Sequence, residues 1–190
     1  MSGRNDGAVD VREPAVMPGV VASSRGTVQP ITLDLQAIMS ILPHRGEVLY
    51  VQSVDELVPG RSIVAYRKVV SHHEWWVPGH FPGNPMLPGV LIVEALFQAA
   101  GLLVAYSLPP DCQANVGLNC GVEDVKIRKS VVPGDQMKLN ASLEDGWFRM
   151  GRMCIAKVMA SKRVEVNRQY MWEAITNSFN IKIGLTSKSE

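Results

Sequence analysis

His80 and Glu94 are the residues whose types and settings suit proton transfer. His80 lies in Pro78-Gly79-His80-Phe81-Pro82-Gly83, a loop that its prolines and glycines would hold in one shape. Glu94 follows inside a long apolar run, Val90-Leu91-Ile92-Val93-Glu94-Ala95-Leu96-Phe97-Gln98. A carboxyl buried there is costly unless it is paired, protonated or functional, and burial would favour the protonated acid. Imidazole titrates close to neutrality and suits a general base. A base and an acid of this kind can take one proton off carbon and put another on a leaving oxygen. From these residues alone the plainer alternative stays open, with a surface histidine and a glutamate that satisfies a nearby backbone group. Gln98, one helical turn beyond Glu94, shares its face. It either orients the carboxylate or faces the same polar cavity.

The elements that position these groups follow from pattern. Residues 88–106 predict one long helix, with Pro88 near its first turn and Pro109-Pro110 after its end. The run approaches bilayer-spanning length, yet Glu94 and Gln98 at its middle and flanks without a basic cluster favour a helix buried in a soluble protein, with no membrane partner. Upstream, Leu33, Ile38, Ile41 and Leu42 have helix-compatible spacing, with Thr32 or Asp34 as cap and Pro43 as stop. Two β-branched runs, VLYVQSVDELV and RSIVAYRKVV, flank Pro59-Gly60 and predict an antiparallel hairpin. Downstream, ANVGLNCG, VEDVKIRKSVV, QMKLNASLED and WFRMGRMCIAKVMA read as strands separated by turns. The class is α+β, with about five or six antiparallel strands curled around one dominant helix. Residues 1–30 read as a flexible extension, 31–160 as the main domain, and 161–190 as a divergent segment forming a last strand or helix plus tail.

Composition narrows the class further. Nineteen basic and 18 acidic side chains in 190 residues give a net charge of +1, which argues against nucleic-acid binding by bulk electrostatics. Hydrophobic residues at 46% and charged residues at 19% allow a substantial core. Cys112, Cys120 and Cys154 are odd in number and lack CxxC spacing, which disfavours a disulfide framework or a zinc site and fits a reducing cytoplasm. The N-terminus has no apolar stretch of the signal-peptide kind.

The run from His73 to Gly101, with GHFPG at 79–83 and PGVLIVEALFQ at 88–98, closely resembles the signature of FabZ-type (3R)-hydroxyacyl-[acyl-carrier-protein] dehydratases. Ile41-Leu42-Pro43-His44-Arg45 upstream and Val125 to Asp135 downstream agree with it. The resemblance implies a hotdog fold, a curved antiparallel sheet wrapped around the long helix, assembled as dimers or trimers of dimers with shared sites. It implies His80 as base at C2 of the substrate and Glu94 of the partner protomer as acid at the C3 hydroxyl. The Gly89 backbone N–H would hold the thioester carbonyl, and no metal or organic cofactor is required. Phe81, Pro88, Phe97, Gln98 and Tyr106 would contact substrate, and Lys126, Arg128 and Lys129 the acidic acyl carrier protein. His44 and Arg45 would be structural. Glu94, where the related dehydratase-isomerases carry Asp, points to dehydration without isomerisation. Two other readings remain, a carrier-binding subunit of a heterodimeric dehydratase and a hotdog thioesterase. The sequence departs from the family at Gly46 to Gln52, at His73 and after about Val158, which leaves fatty-acid and polyketide pathways both open.

Overall fold

Strict alternation of inward and outward side chains builds most of the sheet. The computed structural model describes residues 29–67, 70–109, 112, 117–149 and 152–186. Strand β1 (Ile31–Leu33) leads into helix α1 (Leu35–Ile41), whose N-cap Asp34 accepts from the Ala37 N–H at 2.8 Å. Strands β2 (Ser53–Val58) and β3 (Ser62–Arg67) form the expected hairpin, turning at Gly60 with φ of 73°. Helix α2 (Gly89–Ser107) follows, with Pro88 as its N-cap residue and Leu108 as its C-cap. Then come β4 (Gly117–Glu123), β5 (Met137–Ser142), β6 (Phe148–Arg149), β7 (Met153–Val166), β8 (Gln169–Ala174) and β9 (Phe179–Leu185).

The strands form one antiparallel sheet in the order β1-β2-β3-β5-β7-β9-β4, with β6 and β8 also paired to β7. Its inner face supplies Ile63 and Ala65 from β3, Met137 and Leu139 from β5, Ala156 and Val158 from β7, and Ile181 and Ile183 from β9. These meet Ile92, Leu96, Ala99, Ala100, Leu102 and Leu103 of α2. The helix is long and apolar enough to cross a membrane, and here it is the core helix that the sheet covers. The α+β hotdog arrangement implied by the sequence is the one observed.

Three expectations are corrected. The sheet has nine strands among the described residues, more than five or six. Residues 124–130 do not form a strand beyond one bridge, Ile127 to Thr176. Asp124 turns the chain with φ of 51°, and Asn177 then takes over the backbone groups that a ladder would pair. Its Oδ1 accepts from the Lys126 N–H at 2.7 Å, and its Nδ2 donates to the Asp124 carbonyl at 2.8 Å. The boundary at residue 160 falls inside β7, which continues to Val166 and turns through Asn167 and Arg168, both at positive φ, into β8. The last segment is therefore integral, because β9 fills the place between β7 and β4. The extension expected at residues 1–30 lies almost wholly outside the described residues.

Deleting residues 175–190 would strip β4 of the strand it pairs with and remove the buried Phe179, Ile181 and Ile183 from the core. We expect that chain to lose cooperative thermal unfolding and to become insoluble. A soluble product with an unchanged melting curve would show that β9 is dispensable.

Candidate active site

The loop carrying His80 is anchored by charge and hydrogen bonds before it reaches the histidine. Arg67, buried at the end of β3, pairs with Glu74 and lies over the Tyr50 ring, 4.6 Å from its centroid. Glu74 also accepts from the Ser71 N–H at 2.8 Å and from the Trp76 indole at 2.7 Å. Trp76 is buried beneath the loop, whereas Trp75 is exposed. The chain then folds back on itself, with the His80 N–H donating to the Trp76 carbonyl at 2.9 Å and the Met86 N–H to the His80 carbonyl at 2.8 Å. Gly83, at φ of 75°, makes the turn. The His80 ring stacks on Phe81 at a centroid distance of 4.2 Å, and its Nδ1 lies 2.8 Å from the Met86 carbonyl. A carbonyl only accepts, so Nδ1 carries the hydrogen and Nε2 keeps a free lone pair.

Glu94 projects from the second turn of α2 into a polar cluster. Its Oε1 accepts from Gln98 Nε2 at 2.9 Å and lies 3.3 Å from His44 Nε2, and its Oε2 accepts from Asn119 Nδ2 at 3.0 Å. Gln98, 1% exposed, is fixed at both ends of its amide. Its Oε1 accepts from the backbone N–H groups of Tyr50 at 2.8 Å and Val51 at 3.3 Å, and its Nε2 donates also to the Val48 carbonyl at 2.7 Å. Gln98 thus engages the Tyr50 and Val51 N–H groups ahead of β2, and the Gln52 N–H that follows donates to the Tyr66 carbonyl of β3 at 2.9 Å. The Glu94 side chain is 27% exposed, which corrects the expectation of a carboxyl sealed among apolar groups.

Gly89 is the first residue of α2, so its N–H has no acceptor within the helix. A methyl group there would meet Ile127 Cδ1 at 2.5 Å, a close approach that glycine permits. Of the other residues singled out from sequence, Phe81 is exposed and Pro88 precedes the helix. Phe97 packs in the core, and Tyr106 lies partly buried against it, with burial pushing its phenol above the ordinary range. Lys126 pairs with Asp124 at 3.3 Å and Lys129 with Glu173 at 3.0 Å, leaving Arg128 as the cation of the three whose side chain has no partner among the described residues.

The structure thus places His80 and Glu94 in two separate polar clusters and does not join them. Among the described residues no hydrogen bond or ion pair links His80 to Glu94 within the chain. A surface depression of about 700 Å³, lined by Thr32, Leu33, Gln52 and Asp55 among others, contains neither residue. Sequence reasoning missed two members of the Glu94 cluster. Asn119 gave no signal, being one polar residue in a strand-like run. His44 lay in a block read as structural, and its contact with Glu94 arises only when α1 docks on α2.

The comparisons bear on the family and the fold. A model of the FabA-like domain matches residues 42–174. The 3-hydroxyacyl-[acyl-carrier-protein] dehydratase FabZ of Lawsonia intracellularis is 38% identical over 152 residues, covering 80% of this chain and 97% of that protein. FabZ of Sorangium cellulosum is 42% identical over 117 residues, 62% of this chain and 75% of its own length. The chain belongs to this family of FabA-like dehydratases, on its FabZ branch. Among solved structures, an uncharacterized protein from Pyrococcus horikoshii shares the fold with a TM-score of 0.50 at 14% identity, covering 75% of this chain and 88% of that one. The dehydratase heterocomplex ApeI:P from Xenorhabdus doucetiae gives a TM-score of 0.43 at 18% identity, with coverage of 68% and 92%.

Replacing Gln98 by Leu would leave two buried N–H groups and one carbonyl unpaired. The expected cost is about 3 kcal/mol or more, read as a lower urea midpoint with unchanged slope. A midpoint equal to wild type would mean that water or a neighbouring side chain substitutes for the amide.

Proposed function

We propose that the protein removes water from a (3R)-3-hydroxyacyl thioester carried on an acyl carrier protein, giving the trans-2-enoyl thioester, and does so as a dimer. The observation that carries the reading is the pair of prepared half-sites: a histidine whose Nε2 is free and a glutamate held by three polar neighbours, each lacking the other within one chain. The dimer follows from the same fact and from β4. That strand is an edge of the sheet, exposed on both faces, and Leu118, Val122, Val125 and Ile127 stand in the open along and beyond it. A second copy on this edge would extend the sheet and cover those side chains.

His80 Nε2 takes the proton from C2. Negative charge develops on the thioester oxygen, which accepts a hydrogen bond from the Gly89 N–H at the helix N-terminus. The C2 electron pair becomes the second C2–C3 bond, and the C3–O bond breaks as Glu94 of the other protomer delivers its proton. Water leaves, and a proton returns from the imidazolium to the carboxylate to reset the site. Arg128, exposed and without a side-chain partner among the described residues, is the cation of the three best placed to meet an acidic carrier.

His80→Ala and Glu94→Gln should each lower kcat for a 3-hydroxyacyl thioester by about 100-fold to 10,000-fold, followed by mass spectrometry as loss of water. Wild-type rates in both variants would mean the chemistry is done elsewhere. Helix N-termini tolerate proline, so Gly89→Pro in an Ile127→Ala background deletes one N–H and keeps the fold. Its kcat should fall about 100-fold to 1,000-fold against Ile127→Ala alone, and an equal kcat would remove the Gly89 N–H from the mechanism.

A further inference from the structure

The Glu94 side chain is 27% exposed, so packing alone does not fix the plane of its two oxygens. Two amides hold them instead. Gln98 Nε2 donates to Oε1 at 2.9 Å from one helical turn along α2, and Asn119 Nδ2 donates to Oε2 at 3.0 Å from β4. Asn119 reaches the carboxyl because of how β4 lies on β9. It opposes Ile183, and paired residues on neighbouring antiparallel strands point to the same face of a sheet. Ile183 is buried in the core, so Asn119 is turned toward the helix side. The pairing then shifts by one residue between Asn119 and Gly121, which leaves Cys120 over and puts Val122 opposite the buried Ile181. A bulge of this kind breaks the alternation and re-aims the strand locally, and it falls directly beside Asn119. Gly117 lets β4 approach closely, because a methyl group there would meet Ile183 Cγ2 at 2.8 Å.

We propose that Asn119 is a positioning residue for the acid: with Gln98 it holds the Glu94 carboxyl by one oxygen each, in the plane from which the proton is delivered. The proposal rests on Glu94 as the acid, as read above. The terminal torsion of a glutamate is soft, and a carboxyl held at one oxygen still swings. Gln98 is itself immobile, because its Oε1 is held by the Tyr50 and Val51 N–H groups and its Nε2 also by the Val48 carbonyl. Asn119 supplies the second point from outside the helix. In the step, the Glu94 O–H bond breaks, the departing C3 hydroxyl oxygen gains that proton, and the C3–O electron pair leaves with water. An amide suits both states of the acid. It donates Nδ2–H to the carboxylate, and turned by half a rotation it offers Oδ1 to the protonated acid. It also carries no charge, so it neither holds the carboxylate ionised as lysine would nor repels it as aspartate would. The residue that aims the acid thus stands on the exposed edge strand, where a second protomer would add.

The test measures kcat and KM on a 3-hydroxyacyl thioester for Asn119→Ala, Asn119→Thr and Asn119→Gln, with Asn119→Ala also placed in a Glu94→Gln background. Asn119→Ala should lower kcat about 10-fold to 100-fold with KM within about threefold. Asn119→Thr keeps a good strand former whose hydroxyl stops short of Oε2, and it should behave as the alanine variant does. Gln carries the same amide on one more methylene, and Asn119→Gln should be several-fold more active than Asn119→Ala. In the Glu94→Gln background, Asn119→Ala should add less than about twofold, which a general loss of structure would not produce. Position 119 is exposed, so the melting curve and the size-exclusion elution volume should match wild type. Wild-type kcat in Asn119→Ala beside an impaired Glu94→Gln would overturn this proposal and leave the acid assignment standing. Additive losses in the double variant, or no recovery in Asn119→Gln, would overturn it too. So would a changed melting curve or elution volume in both Asn119→Ala and Asn119→Thr, which would assign the side chain to the fold or the interface. A fully active Glu94→Gln would overturn the acid assignment and this proposal with it.

Discussion

The amide of Gln98 sits in the middle of the most apolar element of the chain, and every one of its hydrogen-bonding directions is used inside the fold. Burying an amide is tolerable only when it is fully paired, and this one takes its partners from two places at once. On one side it holds the backbone at Val48, Tyr50 and Val51, which fixes how the chain enters β2. On the other it holds Glu94, which fixes where the helix presents its carboxyl. The rotation of α2 about its own axis is set by that double demand. An all-apolar helix would have no comparable reason to prefer one rotation over another under a sheet of Ile, Val, Leu and Ala.

A second anchor works independently beneath the His80 loop. Arg67 on β3 and Glu74 in the following loop form a largely buried pair, which is costly to make and more costly to break. Its consequence is local order in a stretch that has no regular secondary structure. The turns from Trp76 to Met86 rest on it, and they deliver one ring nitrogen of His80 to a carbonyl and leave the other free. The two anchors lie on different elements, so the His80 loop and the Glu94 carboxyl are each held independently within one chain.

Much of this was legible in the sequence, for identifiable reasons. The helix was visible because its apolar run is long and bounded by prolines at 88, 109 and 110. The β2–β3 hairpin was visible because β-branched runs flank Pro59-Gly60. The strand expected at 124–130 failed because its pattern was right and its partners were not: the Asn177 side chain occupies the backbone groups that a ladder needs. Residues 161–190 looked divergent because β8 is exposed along most of its length and carries polar and aromatic residues with no inward face. The contact of His44 with Glu94 was beyond sequence reasoning for a simpler reason. It joins a side chain from the irregular segment after α1 to one from α2, and no spacing rule connects them.

Strand β9 has one further consequence. It is the last element among the described residues, yet it lies inside the sheet between β7 and β4. During synthesis α2 leaves the ribosome long before the strand that completes its cover. For that interval the emerging polypeptide carries an apolar helix and an unpaired strand with nothing yet made to shield them. Closure of the sheet over α2 therefore waits until β9 has emerged.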